Sequence, residues 1–255
     1  MGTRSPVFRF ALLAIAATVT ACATPDPALA PLQSSQSAPA PAVSVGDRWT
    51  YRVRDGYTGI ERGNLTQHVT ESGKGSITLA VSGANGAREE MQVYDPQWNW
   101  LRRPATNMQT FEYSPAYPAF VFPLAPGRTW RERVYATDPA DGRRFPVHIE
   151  GTVLGWEKVR VPAGEFDALK IRRKVFVDYW QLNVRGRSDI MEYDWYAPAV
   201  KQSVRRETAS EFLSYLYSDA AGLLRVRGGD RGDGGGPRFV RDDWLIYELV
   251  EYAVR

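Results

Sequence analysis

The sequence predicts an all-β protein: a single curved antiparallel sheet, in the form of a partial barrel or a sandwich, that follows a disordered tether. Three observations support this fold class. Apolar and polar residues alternate in many short segments, turn residues separate these segments, and no segment shows a clear helical periodicity. We expect about ten strands. Their short connections favour antiparallel pairing.

The composition is that of a globular protein. The 255 residues are 44% hydrophobic and 24% charged, which is not typical of disorder. The formal charge is +3, and it falls to 3 − 2 = +1 without residues 1–21, which contain two Arg and no acid. No concentrated basic surface is evident, so nucleic acid is not an expected partner. One Cys and two His residues make a zinc site improbable, and we expect neither a metal nor a cofactor.

The N-terminus has the pattern of a secretory signal peptide over residues 1–21. Two Arg residues precede an apolar run, Phe10 to Val19, that is too short to span a membrane. The Val-Thr-Ala-Cys segment at 19–22 resembles the lipobox of bacterial lipoproteins. That resemblance implies cleavage before Cys22, its modification by acyl chains such as palmitate, and stable membrane anchoring. An ordinary cleavable signal followed by an unmodified Cys is the alternative.

The residues after Cys22 predict a location and a tether. Ala23 stands where Asp would retain an enterobacterial lipoprotein in the inner membrane, so the resemblance implies an outer-membrane protein facing the periplasm. Residues 22–42 are rich in Pro, Ala and Ser, which favours an extended chain without a core. We therefore expect the β domain to occupy residues 43–255.

The first half of this domain contains five predicted strands and one irregular segment. Residues 45–53 place Trp49, Tyr51 and Val53 on one face. The five strands cover residues 45–53, 65–71, 77–82, 89–94 and 129–137. Five prolines make residues 104–127 irregular, and the apolar run at 120–124 is expected to close one end of the core.

A long hairpin is predicted over residues 156–180, after a strand at 145–154. Pro162-Ala163-Gly164 supplies its turn. In its second arm Leu169 and Ile171 alternate with Lys170 and Arg172, which is typical of a half-buried strand. Arg173 falls on the apolar face and therefore needs an acidic or hydrogen-bonding partner, which the sequence does not identify.

Two further strands, at 190–196 and 200–207, follow the hairpin, and another closes the chain. The first places Glu192 and Asp194 on the face opposite Met191, Tyr193 and Trp195. The Gly-rich segment at 228–236 is predicted to be a flexible loop. Residues 244–254 are interpreted as the closing strand because they contain many aromatic and β-branched residues. A helix capped by an Asp at 242 or 243 is the alternative.

Three segments together resemble β-rich bacterial envelope domains of unknown function. They are FPL-x-PG-x-x-W at 122–130, VPAG-x-F-D at 161–167 and WYAP-x-V-K at 195–201. The resemblance covers roughly 45–207. Because its motifs lie at turns and strand ends, it implies a curved antiparallel sheet or partial barrel, and it implies no activity.

Two sets of residues are candidates for binding. An aromatic face could line a groove for an apolar ligand or a partner, with core packing as the alternative; it comprises Trp98, Trp100, Trp180, Trp195 and Trp244. A basic stripe could meet anionic lipid headgroups or an acidic partner; it comprises Lys170, Arg172, Lys174, Lys201 and Arg205. A solvated face with acids nearby is the alternative for the stripe.

No catalytic motif is present. His68 and His148 are the only imidazoles, and neither a G-x-S-x-G nor an H-E-x-x-H segment occurs. Glu192 and Asp194 could act as a carboxylate pair on a glycoside, but a solvated strand face is the favoured interpretation. We therefore expect a non-enzymatic, membrane-anchored envelope lipoprotein that binds a lipid-like ligand or a protein partner. The alternatives are a structural interaction lipoprotein without a ligand site and a periplasmic hydrolase.

Overall fold

The computed structural model of the chain describes residue 2 and residues 28–32, 35–83, 90–104, 110–181, 184–214 and 238–255. The predicted signal peptide beyond residue 2, Cys22 and the Gly-rich loop at 228–236 lie outside the described residues. Among the described residues, no helix is both long and apolar enough to cross a membrane.

Most of the described chain is β-strand. The thirteen strands of this part are, in chain order, β1 (Ala28–Leu32), β2 (Arg48–Asp55), β3 (Glu61–Ser72), β4 (Ile77–Gly83), β5 (Glu90–Tyr94), β6 (Trp100–Pro104), β7 (Thr110–Tyr117), β8 (Thr129–Thr137), β9 (Arg144–Val161), β10 (Gly164–Gln181), β11 (Val184–Ala197), β12 (Gln202–Ser214) and β13 (Arg238–Ala253). A short 3-10 turn, Pro198–Val200, separates β11 from β12.

Strands β2 to β13 form a closed, up-and-down antiparallel barrel. Each strand pairs with the next one along the chain, and the pairing of β13 with β2 completes the ring. The predicted all-β antiparallel fold is thereby confirmed, and the closed barrel replaces the partial barrel or sandwich. Residues 244–253 belong to a strand and not to a helix, and closure pairs both edges of that strand.

β6 and β7 are two strands that the sequence did not predict. The five prolines of residues 104–127 had indicated an irregular segment there. Pro104 is the last residue of β6, and Pro115 follows the part of β7 that pairs with β8, which ends at Ser114. Both prolines therefore avoid positions where the ladder needs a backbone N–H, and the strands form around them.

The last part of the predicted tether packs against the barrel. Strand β1 pairs with the second half of β9, beyond the part of β9 that pairs with β8. Ala38 and Leu124 exchange two backbone hydrogen bonds of 2.8 Å, and Trp156 Nε1 donates to the Gln36 carbonyl at 2.7 Å. The prediction of a disordered tether up to residue 42 is wrong here, because a segment without a core of its own can still pair with an existing sheet.

The barrel is filled by its own side chains. Trp49, Trp98 and Tyr117 are among the largest fully buried residues. In the connection between β7 and β8, Phe120 and Leu124 are buried in the same core, so the predicted apolar plug at 120–124 closes part of the interior. The interior is therefore a packed core, as the alternation of apolar residues along the strands requires.

The tip of the long hairpin formed by β9 and β10 contacts β13, a strand that is distant in the sequence. Its turn lies at Pro162 and Ala163, as predicted, and its register shifts beside Gly155, which has a φ of +147°. Such a bulge bends the arm. The Ala163 amide then donates to the Leu249 carbonyl at 2.9 Å, which ties the hairpin tip to β13.

The close contact between Gly151 and the Trp130 ring generates a stability prediction. A Cβ at Gly151 would lie 2.0 Å from that ring, so we expect Gly151→Ala to destabilise the barrel by about 1–3 kcal/mol in urea unfolding. Gly75→Ala is the control, because nothing lies within 4 Å of its Cβ position. Equal unfolding free energies for the two variants would contradict the predicted packing.

Candidate functional site

A buried ion network lies inside the barrel and is centred on Arg173. This residue is 0% exposed, and it faces two carboxylates on β11, those of Glu192 and Asp194, which are residues 2% and 3% exposed. Arg173 Nε donates to Glu192 Oε2 at 2.7 Å, and Nη1 donates to the Ala119 carbonyl at 2.9 Å. Arg173 Nη2 donates to Asp194 Oδ2. The partner that the sequence left unidentified is this carboxylate pair.

The prediction that Glu192 and Asp194 lie on a solvated face of the sheet is therefore wrong. The alternation along β11 is as predicted, but the carboxylates point inward and Tyr193 points outward. Glu192 lies directly opposite Arg173 in the β10–β11 register. A buried guanidinium and a buried carboxylate each need a charged partner, so their pairing fixes which face of β11 is internal.

Two hydroxyl groups complete the network. Tyr117 Oη donates to Glu192 Oε2 at 2.8 Å, and Ser203 Oγ donates to Asp194 Oδ1 at 2.7 Å. Burial raises the pKa of Tyr117 well above its usual value, and Glu192 adds to this rise. Burial alone would raise the pKa of Asp194, but the charge of Arg173 outweighs it and lowers that pKa below its usual value.

Two small cavities adjoin the network. Each measures about 20 Å³, and both are lined by Trp100, Arg103, Arg206 and Tyr247. A cavity of this size holds about one water molecule, whereas pockets for small molecules measure about 300–1,000 Å³. Neither cavity has room for a lipid.

The structure separates the tryptophans of the predicted aromatic face. Trp98 and Trp100 are buried inside the barrel, where Trp100 stacks on Tyr117 with ring centres 4.0 Å apart. Trp195 points outward and is covered by Lys170, Arg205 and Glu157, the last accepting its indole hydrogen bond at 2.8 Å. The side chain of Trp180 lies outside the described residues.

The predicted basic stripe is also divided and partly neutralised. Lys170 lies 3.3 Å from Glu157, and Arg205 donates to Glu207. Lys201 follows the 3-10 turn, where it lies 3.2 Å from Asp47. Lys174 is exposed and Arg172 is half-buried. These five residues do not form one free cationic surface.

Trp244 contributes to an exposed apolar surface at the turn between β2 and β3. Its ring lies over Gly56, where a Cβ would be only 2.2 Å away, and it packs edge-on against Tyr57 at 5.4 Å. Tyr57 is 44% exposed and Ile60 is 65% exposed. We call Tyr57, Ile60 and Trp244 the turn surface. The apolar residues Tyr57 and Ile60 beside this turn were the sequence signal that was overlooked.

The two imidazoles lie far apart in the strand order. His68 is exposed on β3 and His148 is half-buried on β9, and these strands are not neighbours. In the described part of the chain, no group of three or more His, Cys, Asp or Glu residues could hold a metal ion.

The fold and the site define a class of protein: a closed antiparallel β-barrel with a filled interior and a buried ion network. No family model matches the sequence, and no curated protein is significantly similar to it. Two solved structures are similar to this chain. One is a Bacteroides fragilis protein that is predicted to be exported and has a YmcC-like fold, and the other is a Parabacteroides distasonis protein that is predicted to be a lipoprotein.

Both similarities extend over most of each chain. The B. fragilis protein is 16% identical, with a TM-score of 0.47 over 85% of this chain and 99% of its own. The P. distasonis protein is 14% identical, with a TM-score of 0.47 over 86% of this chain and 100% of its own. Neither similarity identifies a ligand, a partner or an activity for this chain.

The lowered pKa of Asp194 generates a prediction for pH dependence. A carboxylate with a lowered folded-state pKa stabilises the protein above its unfolded value of about 3.9, and this contribution is lost as the pH falls through the folded-state value. We expect the free energy of unfolding to fall below about pH 4, and to fall less in Asp194→Asn. Urea unfolding measured between pH 6 and about 2.5 tests this.

Asp167→Asn is the control for this experiment, because it removes one carboxylate from the outer surface, where Lys158 lies 3.0 Å away. Identical pH dependence in wild type and Asp194→Asn would show that the buried carboxylate does not contribute as predicted.

Proposed function

We propose that the chain is a lipid-anchored protein of the bacterial cell envelope that acts as a non-enzymatic assembly module for a protein partner. The main observation is the segment at 19–22, which places the one Cys of the sequence directly after a signal-like apolar run. Several acyl chains on Cys22 would anchor the protein stably. Because Ala23 follows, we place it at the outer membrane, facing the periplasm.

The small size of the interior cavities favours a protein partner over a lipid-like ligand. A barrel that carries a lipid needs a large apolar cavity, and the two cavities at the ion network hold only about one water each. The core around them consists of large packed side chains. Binding is therefore expected on the outside of the barrel. The same packing agrees with the second candidate, a structural lipoprotein without a ligand site.

The turn surface is the proposed contact with the partner. Ile60 and Tyr57 expose apolar side chains, and Trp244 on β13 packs against the Tyr57 ring. The Arg241 guanidinium lies 5.7 Å from the centre of the Tyr57 ring, at the same place. Aromatic and Arg side chains in this combination are enriched at protein interfaces. A set of exposed apolar side chains of this kind favours a binding site for another protein over a surface that stays in contact with water.

The anchor predicts a change in membrane association. Cys22→Ser removes the acceptor thiol, so we expect the protein to move from the membrane fraction to the soluble fraction of cells. Ser35→Ala, outside the lipobox, is the control and should stay in the membrane fraction. Continued membrane association of Cys22→Ser, in washed membranes, would refute lipid anchoring at this residue.

The turn surface predicts a specific cross-link. A photo-activatable amino acid at Ile60 should capture a discrete protein in living cells, and Ile60→Asp should reduce co-purification of that protein at least about tenfold, since a centrally buried apolar contact is worth more than 1.4 kcal/mol. The same amino acid at Met91, which is 41% exposed on β5, is the matched control. Equal capture from both positions, or none from Ile60, would exclude the turn surface as the contact.

A further inference from the structure

Strand β1 leaves little free chain between the barrel and the proposed lipid anchor. Ala28 is the first residue of β1, and only 28 − 22 = 6 residues of chain separate it from Cys22. Even when they are fully extended, six residues span at most about 20 Å. A protein that is acylated at Cys22 therefore keeps the part of the barrel beside Ala28 within about 20 Å of the membrane surface.

The register of β1 shows which end of the barrel lies on that side. Ala28 lies opposite Val159, and Leu32 lies opposite Trp156. Strand β1 therefore begins near the turn of the β9–β10 hairpin at Pro162 and runs away from it. Val159 precedes this turn by about three residues, or about 10 Å of strand, so the free chain extends at most about 10 Å beyond the hairpin tip.

The chain after β1 is attached to the same end of the barrel. Trp156 Nε1 donates to the Gln36 carbonyl at 2.7 Å, and Ala38 exchanges two backbone hydrogen bonds with Leu124. Without β1, 36 − 22 = 14 residues would separate Cys22 from Gln36, and they would span up to about 50 Å. The pairing of β1 with β9 thus shortens the reach of the tether by more than half.

The hairpin tip carries exposed apolar side chains. Phe166 packs edge-on against Tyr252 with ring centres 5.9 Å apart, and Tyr252 is 40% exposed. Pro162 is exposed at the turn itself. We call Pro162, Phe166 and Tyr252 the tip surface. Tyr is enriched at the membrane–water interface, because its ring is apolar and its hydroxyl group can remain hydrated.

The charged side chains of the hairpin tip balance one another. Arg160 lies 3.1 Å from Glu165, and Lys158 lies 3.0 Å from Asp167. These two ion pairs leave no net charge on the tip. A contact between the tip and a membrane would therefore not depend on anionic lipid headgroups.

We propose that the docked strand β1 holds the tip surface against the membrane that contains Cys22, and that the turn surface faces away from this membrane. Trp244 in the turn surface and Tyr252 in the tip surface lie 252 − 244 = 8 residues apart on β13, which corresponds to about 25 Å of strand. This orientation requires the lipid anchor of the proposed function, and it adds a lipid bilayer as a second binding partner of the barrel.

Fluorescence quenching by labelled lipids measures which end of the barrel lies at the membrane. With Cys22 acylated, an introduced Cys is the only free thiol, because the sequence contains no other Cys. In the full-length protein, in phosphatidylcholine vesicles that carry headgroup nitroxides, a fluorophore at Glu165→Cys should be quenched. The matched control is Asp141→Cys, another exposed acid, in the turn between β8 and β9, and its fluorophore should keep its emission. Equal quenching at both positions would overturn the orientation.

Two insertions test the role of β1. About twelve Gly and Ser residues inserted after residue 27 lengthen the free tether, so most of the quenching at position 165 should be lost. The same insertion after residue 34 lies beyond β1 and should leave the quenching unchanged. Equal effects of the two insertions would show that β1 does not hold the barrel at the membrane.

Flotation of the vesicles separates this orientation from the anchor itself. Protein that does not float with the vesicles would refute lipid anchoring at Cys22 and the orientation together. Protein that floats, but whose two fluorophores are quenched equally, would refute the orientation alone and leave the anchor in place.

Discussion

The contact of Arg173 with Glu192 and Asp194 is the interaction on which the interior of the barrel depends. Removing three charged groups from water is costly, and it is tolerated only when each is paired and hydrogen-bonded. Arg173 meets this condition through both carboxylates and the Ala119 carbonyl. The network thereby joins β10 and β11 to the segment after β7 and, through Ser203, to β12. Breaking such a buried pair typically costs about 3–5 kcal/mol.

This network and the aromatic core occupy much of the interior of the barrel. Large rings such as Trp49 and Trp98 fill the interior, and their indole N–H groups donate to the carbonyls of Val200 and Lys201. The small cavities that remain are lined by arginines and by aromatic rings such as Trp100. A rigid scaffold of this kind holds its turns in fixed positions, which suits a protein that presents a surface to a partner. The turn surface is one such place.

The sequence predicted the local features of the fold well. Alternation identified the faces of β2 and β10, and Pro162 with Gly164 identified the hairpin turn. The apolar run at 120–124 was predicted to enter the core, and Arg173 was predicted to need a partner. Each of these follows from a period or a residue type within a few neighbouring positions. The site was harder to predict, because Tyr117, Arg173 and Glu192 come from three different strands and meet only in the folded barrel.

By itself the sequence determined the strand periods, most of the turns and the antiparallel fold class, because backbone geometry and side-chain chemistry act over short distances along the chain. Only the tertiary structure decided which face of β11 is internal, since a period of two shows that Glu192 and Asp194 share a face but not where that face points. Ring closure, which pairs Leu249 with Tyr51, and the docking of residues 28–32 on β9 join distant segments. Such pairings depend on the register and the free edges of the whole sheet, and no local pattern encodes them.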